Sequence, residues 1–216
     1  MRVAALCVAA YLIGAIPFGL LVGFARGVDV RRHGSGNIGA TNVGRVLGRR
    51  WGVLVFLLDA GKCLGVMSAA RWTARWCGFA VPGAASSWLL FGAGLLAIAG
   101  NVAPVYLRFR GGKGVASSVG VMLGVWPELA VPGLVCLLLW VAIVKTTRYV
   151  SLASIVAALA HPLVMLAGLP LFERTIYDIY PLLLLSAILA VVIVFRHRQN
   201  IRRLLAGTEQ KVRASE

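Results

Sequence analysis

The sequence predicts an all-α fold: a polytopic integral membrane protein of seven transmembrane helices, with its N-terminus outside and its C-terminus in the cytoplasm. Three observations predict it. Hydrophobic residues make up 60% of the chain and charged residues 13%, where a soluble domain has roughly 45–50% and about 25%. The apolar residues are gathered into runs that approach the ~20 residues needed to cross a bilayer. The basic residues fall mainly in alternate connections between those runs, as the positive-inside rule requires.

The first run, about 3–24, exceeds the 7–15 residues of a signal-peptide core and lacks an A-x-A cleavage site, so it reads as a retained span. After it comes the longest polar connection, about 26–50, which contains Gly34-Ser-Gly-Asn-Ile-Gly-Ala-Thr-Asn-Val-Gly-Arg45. Ser35, Asn37, Thr41 and Asn42 offer neutral hydrogen-bonding groups there, and Arg45 offers a fixed positive charge. Gly34, Gly36 and Gly39 let backbone N–H groups converge on anionic oxygens. The same glycines match G-x-G-x-x-G literally, with Asp59 twenty residues further on. A dinucleotide site needs a preceding strand and a βαβ unit, however, and here Arg31-Arg32-His33 precedes and Asp59 lies in an apolar run.

Spans two and three are expected at about 52–70 and 86–107. Asp59 and Lys62, inside the second, read as an internal ion pair. The next connection, about 108–114, is Arg108-Phe-Arg-Gly-Gly-Lys-Gly114. Its cations and its glycines Gly111, Gly112 and Gly114 stand before a helix start at Val115, where unpaired N–H groups and the positive end of the dipole favour phosphate around Lys113. This is not a Walker A loop, because Gly114 stands where a magnesium-binding Ser or Thr is required.

As one helix, Gly114 to Val144 would run about 46 Å, far beyond a ~30 Å hydrocarbon core. Trp126-Pro127-Glu128 divides it with an interfacial turn, giving spans at about 114–126 and 129–144. After the connection at about 145–150, two further spans follow at about 150–169 and 179–195, and then a tail at 196–216. Ser151 begins one span, and His197 and Asn200 lie three residues apart on one face of a helical tail. His161, inside a span before Pro162, reads as a locally bonded core residue.

With seven spans, one side receives Arg26, Arg31, Arg32, Arg45, Arg49, Arg50, Arg108, Arg110, Lys113, Lys145, Arg148 and the basic tail through Arg213. The other receives only Arg2, Arg71, Arg75 and Arg174. That asymmetry puts the tail in the cytoplasm and excludes six spans. The net charge of +15 therefore belongs to the membrane face; no zinc-finger or RNP pattern points to nucleic acid. Cys7, Cys63, Cys77 and Cys136 fall mostly in apolar runs without C-x-x-C spacing and read as small hydrophobic residues. No polar connection is long enough for a soluble domain, so residues 1–216 form one membrane domain. Its candidate site is an anion site at the membrane surface, suited to a phosphorylated metabolite. A transporter for an organic phosphate is the alternative, with Asp59 and Lys62 as its best support.

Five segments carry a further reading: Tyr11-Leu-Ile-Gly-Ala-Ile-Pro-Phe-Gly19, the Gly34–Asn42 run, Arg110-Gly-Gly-Lys-Gly-Val-Ala116, Arg148-Tyr-Val-Ser-Leu-Ala-Ser154 and Arg196–Glu209. With these in order along nearly its whole length, the chain resembles the acyl-phosphate:glycerol-3-phosphate acyltransferases of bacterial phospholipid synthesis, the PlsY family. The resemblance implies a seven-span enzyme of the bacterial inner membrane. It would move a fatty acyl group from acyl phosphate to the 1-hydroxyl of sn-glycerol 3-phosphate, giving lysophosphatidic acid and phosphate.

The resemblance assigns catalytic work to Ser35, Arg45, Lys113 and His197. It assigns substrate and phosphate binding to Gly34, Gly36, Asn37, Thr41, Asn42, Gly111, Gly112, Gly114, Ser151, Asn200 and Glu209. The chain departs from the family pattern at Asn101, where a His is usual, at Cys63, where a Gly is common, and at Gln199, where Glu is frequent. The fifth residue after His33, His161 and His197 is Ile38, Leu166 and Arg202, so the H-x4-D arrangement of acyl-CoA and acyl-carrier-protein glycerolipid acyltransferases is missing. The expected partners are acyl phosphate, glycerol 3-phosphate and membrane lipid, with no nucleic acid. No metal or other cofactor is expected, since no Cys, His and carboxylate cluster has ligand spacing. The residues specify no oligomeric state.

Overall fold

The structure, a computed structural model, describes residues 2–79, 84–170 and 175–212. Arg174 and Arg213, both used in the charge placement, lie outside the described residues. All regular structure among the described residues is helical. The chain forms two compact units, Met1–Val125 and Trp126–Glu216.

The first unit holds α1 (Arg2–Gly14), α2 (Phe18–Ala25), α3 (Ala40–Leu47), α4 (Arg49–Trp76), α5 (Ala84–Val102) and α6 (Val115–Leu123). The expected first span is broken: α1 and α2 meet at a 41° bend. Pro17 is the cause, because it has no N–H to give the ladder and disfavours helical geometry at Ile16. The expected second span is longer than 52–70. Its helix, α4, has 28 residues, or about 42 Å, and overhangs a bilayer core. Helix α6, placed on the expected fourth span, has only nine residues. Among the described residues, five helices are long and apolar enough to cross a membrane, or up to six if the bent pair is one span.

Small residues bring these helices close. Gly14 of α1 lies on the Ala97 backbone of α5, and Gly120 of α6 lies on the Ala60 carbonyl of α4. Such positions let backbones approach where lipid supplies no hydrophobic drive for association. Tyr11 ties α1 to the end of α5 by donating its hydroxyl to the Ala103 carbonyl at 2.8 Å. Arg2 stacks 4.2 Å over Trp76, so the start of α1 and the end of α4 lie together.

The connection between α2 and α4 is anchored by its own apolar residues. Val30, Ile38 and Val43 are buried with Leu20 of α2 and Val55 of α4, and Leu107 from the connection after α5 packs against the same cluster. Burial of each such side chain is worth roughly 1.5–3 kcal/mol relative to exposure. The two polar connections of this unit therefore share one core.

The second unit holds α7 (Ala130–Thr147), α8 (Val150–Ala167), α9 (Ile176–Arg196) and α10 (Arg198–Leu205). Trp126, Pro127 and Glu128 fall in the turn that precedes α7, where the sequence predicts one. His161 of α8 is 1% exposed. Its ring nitrogens pair with the Ser186 hydroxyl at 2.7 Å and the Leu129 carbonyl at 3.2 Å, so it is a satisfied core residue, as expected. Trp140 of α7 donates to Ser154 of α8 at 3.1 Å.

Candidate active site

In the first unit, Asn42 organises the glycine-rich run. It is 2% exposed. Its Oδ1 accepts the Ser35 N–H at 2.8 Å, and its Nδ2 donates to the carbonyls of Val30, His33 and Asn37 at 3.0, 3.2 and 2.8 Å. The expectation of a ligand at Asn42 thus meets a side chain committed on both its atoms, whose work is to shape the loop. Asn37 closes a second turn by accepting the Gly39 N–H at 2.8 Å, and α3 begins directly after it.

Gly34 sits at φ +60°, and a Cβ there would overlap Asn42 Oδ1. Both facts demand glycine. The outcome is an internally hydrogen-bonded loop that leaves Ser35, Thr41 and Arg45 exposed. Thr41 and Arg45 are one turn apart on α3 and share a face. Asp29 braces the approach: it caps the turn at Val30–Arg32 by accepting the Arg31 N–H at 3.0 Å. The Arg31 guanidinium, hydrogen-bonded to the same carboxylate, draws the Asp29 pKa down to about 2.

The second connection is equally constrained. After α5 the chain makes a short 3-10 turn at Val105–Leu107. Arg108 and Phe109 then adopt left-handed φ of 49° and 62°, a conformation that costs a non-glycine residue of order 1–3 kcal/mol. Backbone bonds hold the turn: Phe109 N–H donates to Pro104 at 3.0 Å, Gly111 N–H to Val102 at 3.2 Å and Gly112 N–H to Asn101 at 3.0 Å. Gly111 is pressed against the carbonyls of Asn101 and Val102 and the ring of Pro104, leaving no room for a Cβ. Gly111, Gly112 and Gly114 are buried and Lys113 is half-buried. Gly114 caps α6 at φ +83°. Lys113 thus immediately precedes the N-cap of α6, the positive end of that helix.

Asp59 and Lys62 form the expected pair, with Lys62 Nζ 2.6 Å from Asp59 Oδ1. Nζ also donates to Asn101 Oδ1 at 3.0 Å and to the Ile16 carbonyl at 2.8 Å. The pair that best supported transport is therefore consumed in an internal network.

In the second unit Ser151 and Asn200 gather around Glu209. The tail after α10 folds back, and Glu209 Oε1 accepts from the Ser151 hydroxyl at 2.7 Å and the Asn200 amide at 2.6 Å. Glu209 Oε2 accepts from Arg203 Nε at 2.7 Å. Burial pushes the Glu209 carboxyl up, but bonds from Asn200, Ser151 and Arg203 and the Arg203 charge outweigh it, so the pKa is lowered. A carboxylate so held is a latch for the tail rather than a partner for phosphate. The Val212 N–H reinforces it by donating to the Arg148 carbonyl at 2.9 Å.

His197, between α9 and α10, is 3% exposed and its Nδ1 lies 2.8 Å from the Ile193 carbonyl. A carbonyl only accepts, so Nδ1 carries the proton and Nε2 of the neutral ring is the basic nitrogen. Among the described residues, no group of three His, Cys, Asp or Glu side chains is gathered to hold a metal.

The first unit brings together Ser35, Asn37, Thr41, Asn42 and Arg45 through Asn42 and α3, and it ties their loop to the Lys113 loop through Leu107. In the second unit Ser151, Asn200 and Glu209 are in direct contact, with His197 three residues before Asn200. The sequence reading missed the work of Asn101 as backbone anchor of the second loop. Its signal was a polar residue at the end of an apolar run, three positions before Pro104.

Comparison with known proteins gives one consistent result. The family described as glycerol-3-phosphate acyltransferase matches residues 4–207. A glycerol-3-phosphate acyltransferase from Geobacter sulfurreducens is 47% identical over 206 residues, covering 95% of each chain. One from Aquifex aeolicus is 40% identical over 213 residues, covering 98% of this chain and all of the relative. Among solved structures, the glycerol 3-phosphate form of PlsY, an integral membrane glycerol 3-phosphate acyltransferase, superposes with a TM-score of 0.81. It is 36% identical, with 99% of this chain and 96% of that chain covered. The lysophosphatidic acid form gives a TM-score of 0.79.

Proposed function

The chain belongs to the glycerol-3-phosphate acyltransferase family, and from that premise we propose that its acyl donor is acyl phosphate and its product lysophosphatidic acid. The observation that carries this reading is the pair of cation-bearing, glycine-rich loops that share one core in the first unit. Both substrates are phosphorylated, and acyl phosphate is already activated by a good leaving group. The protein's work is then orientation and charge: it holds the hydroxyl near the acyl carbonyl, and it offsets charge on the oxyanion and the departing phosphate.

In the reaction, the 1-hydroxyl oxygen of glycerol 3-phosphate attacks the acyl carbonyl carbon. The tetrahedral intermediate collapses, the bond from carbon to the phosphate oxygen breaks, and inorganic phosphate leaves. Arg45 and Lys113 bind phosphate groups, aided by the amides of the Gly34–Gly39 and Gly111–Gly114 segments. Ser35, Asn37, Thr41 and Asn200 position glycerol 3-phosphate, while Asn42 keeps the loop in shape. Ser151 and Glu209 hold the tail that carries Asn200. Nε2 of His197 takes the hydroxyl proton, or a substrate phosphate oxygen takes it instead.

On this reading residues 1–216 act as a single membrane domain. It crosses the bacterial inner membrane seven times, with α6 as a short span, the N-terminus outside and the reacting groups on the cytoplasmic side. The distribution of basic residues supports that topology.

Lys113→Ala tests the site. Losing a charge-assisted contact of about 1.5–3 kcal/mol lowers activity at limiting substrate about 10- to 150-fold. A folded Lys113→Ala protein with full activity under those conditions would falsify the assignment.

A further inference from the structure

Among the buried polar groups that the reaction as assigned does not use is a cluster on α4 and α5. Asp59 and Lys62, one turn apart on α4, are 8% and 9% exposed, and Asn101, in the last turn of α5, is 9% exposed. An ammonium has three donors. Those of Lys62 go to Asp59 at 2.6 Å, to the Asn101 side chain at 3.0 Å and to the Ile16 carbonyl at 2.8 Å.

Stability alone gives little reason for a charge pair at this place, because apolar residues of similar volume commonly replace buried ion pairs without loss. The network does, however, end on the second loop. Asn101 receives Lys62 on its side-chain oxygen and the Gly112 N–H on its backbone carbonyl at 3.0 Å. Gly111, bonded to the next carbonyl at Val102, is pressed against Asn101 as well. Lys113 is the next residue in the chain.

We propose that Lys62, oriented by Asp59, is a positioning residue for Lys113: by fixing Asn101 it fixes the Gly111–Gly112 backbone from which Lys113 projects. This rests on the assignment of Lys113 to a substrate phosphate. Lys62 touches no substrate, and its effect reaches the reaction only through the geometry of the loop. A displacement of about 1 Å at such a remove is enough for roughly a 10²-fold loss of rate.

The test compares three proteins with wild type in detergent or lipid: Lys113→Ala, Asn101→Leu and the double variant Asp59→Leu/Lys62→Leu. Removing both members of the pair avoids a lone buried carboxylate, and Asn101→Leu gives an independent route if the double variant does not fold. The expected result is that Asn101→Leu and the double variant lose about 10²-fold in kcat/KM. The parameter that moves, whether kcat or one of the two Michaelis constants, is the one that Lys113→Ala moves, and the thermal midpoint stays near that of wild type.

Wild-type constants in Asn101→Leu and in the double variant, with Lys113→Ala impaired, overturn the positioning role alone. So does a fall in kcat that tracks loss of thermal stability and leaves both Michaelis constants unchanged, since that is the mark of a smaller folded fraction. Full activity in Lys113→Ala overturns the phosphate assignment, and this proposal with it.

Discussion

Replacing Asn42 by Ala removes the hub of the first loop and nothing else of size, which makes its consequence calculable. Four contacts are lost: the Ser35 N–H to Oδ1, and Nδ2 to the carbonyls of Val30, His33 and Asn37. Nδ2 has two hydrogens to share among its three carbonyls, so with the Ser35 bond about three full hydrogen bonds go, a gross loss of roughly 3 kcal/mol at about 1 kcal/mol net each. Water recovers part of it, because Ser35 and His33 are exposed; it does not reach Val30, which is 0% exposed. A remainder of about 2 kcal/mol corresponds to a fall of about 30-fold in the ratio of ordered to disordered loop. The helices keep their packing, so the far-UV spectrum and chromatographic behaviour in detergent match wild type. Steady-state kinetics is the assay, with both substrates varied. Asn42→Ala is expected to lose about 30-fold in kcat/KM for glycerol 3-phosphate, and Asn42→Asp a similar amount, since it keeps the acceptor but not the Nδ2 donor. An Asn42→Ala protein within about twofold of wild type would mean that Asn42 does not hold the loop in its active shape.

Gly34→Ala should resemble Asn42→Ala in kinetics, because its Cβ collides with Asn42 Oδ1 at a left-handed φ that costs about 1–3 kcal/mol; wild-type kcat/KM would contradict this. Arg45→Ala is expected to lose about 10- to 150-fold at limiting substrate, from a charge-assisted contact of about 1.5–3 kcal/mol, and assays at rising ionic strength should narrow its gap from wild type. Glu209 carries a pH dependence: its carboxyl is depressed in the folded protein, so its latch contributes fully above the ordinary carboxylate range and is lost as pH falls through the lower folded value. Hydrogen exchange of the amides at 204–212, corrected for intrinsic rates, should therefore accelerate on acidification in wild type. In Glu209→Gln it should already be fast at neutral pH and insensitive to acid.

The helical class and the polar loops were legible because hydropathy and glycine patterning are local signals. The span at 130–147 follows directly from a run of apolar residues, and the Asp59–Lys62 pair from charges one turn apart. The break at Pro17 was equally local, yet it lies inside an apolar run long enough for a full span, so length concealed it. What the sequence did not disclose was the direction in which polar side chains spend their hydrogen bonds. Asn42 and Ser35 are alike in a string of letters, but Asn42 turns inward onto three carbonyls while Ser35 is exposed. Glu209 showed the same limit. Its three donors come from Ser151, Asn200 and Arg203, and the pairing of Ser151 with Glu209 spans 58 positions, a separation on which local pattern carries no information.

The identity of the acyl donor is decided by giving the purified protein labelled glycerol 3-phosphate with acyl phosphate in one reaction and with acyl-CoA in a parallel one. Labelled lysophosphatidic acid is expected from acyl phosphate, with one inorganic phosphate released per product, and none from acyl-CoA. Product from acyl-CoA alone, or from neither donor in a protein that binds glycerol 3-phosphate, would contradict it.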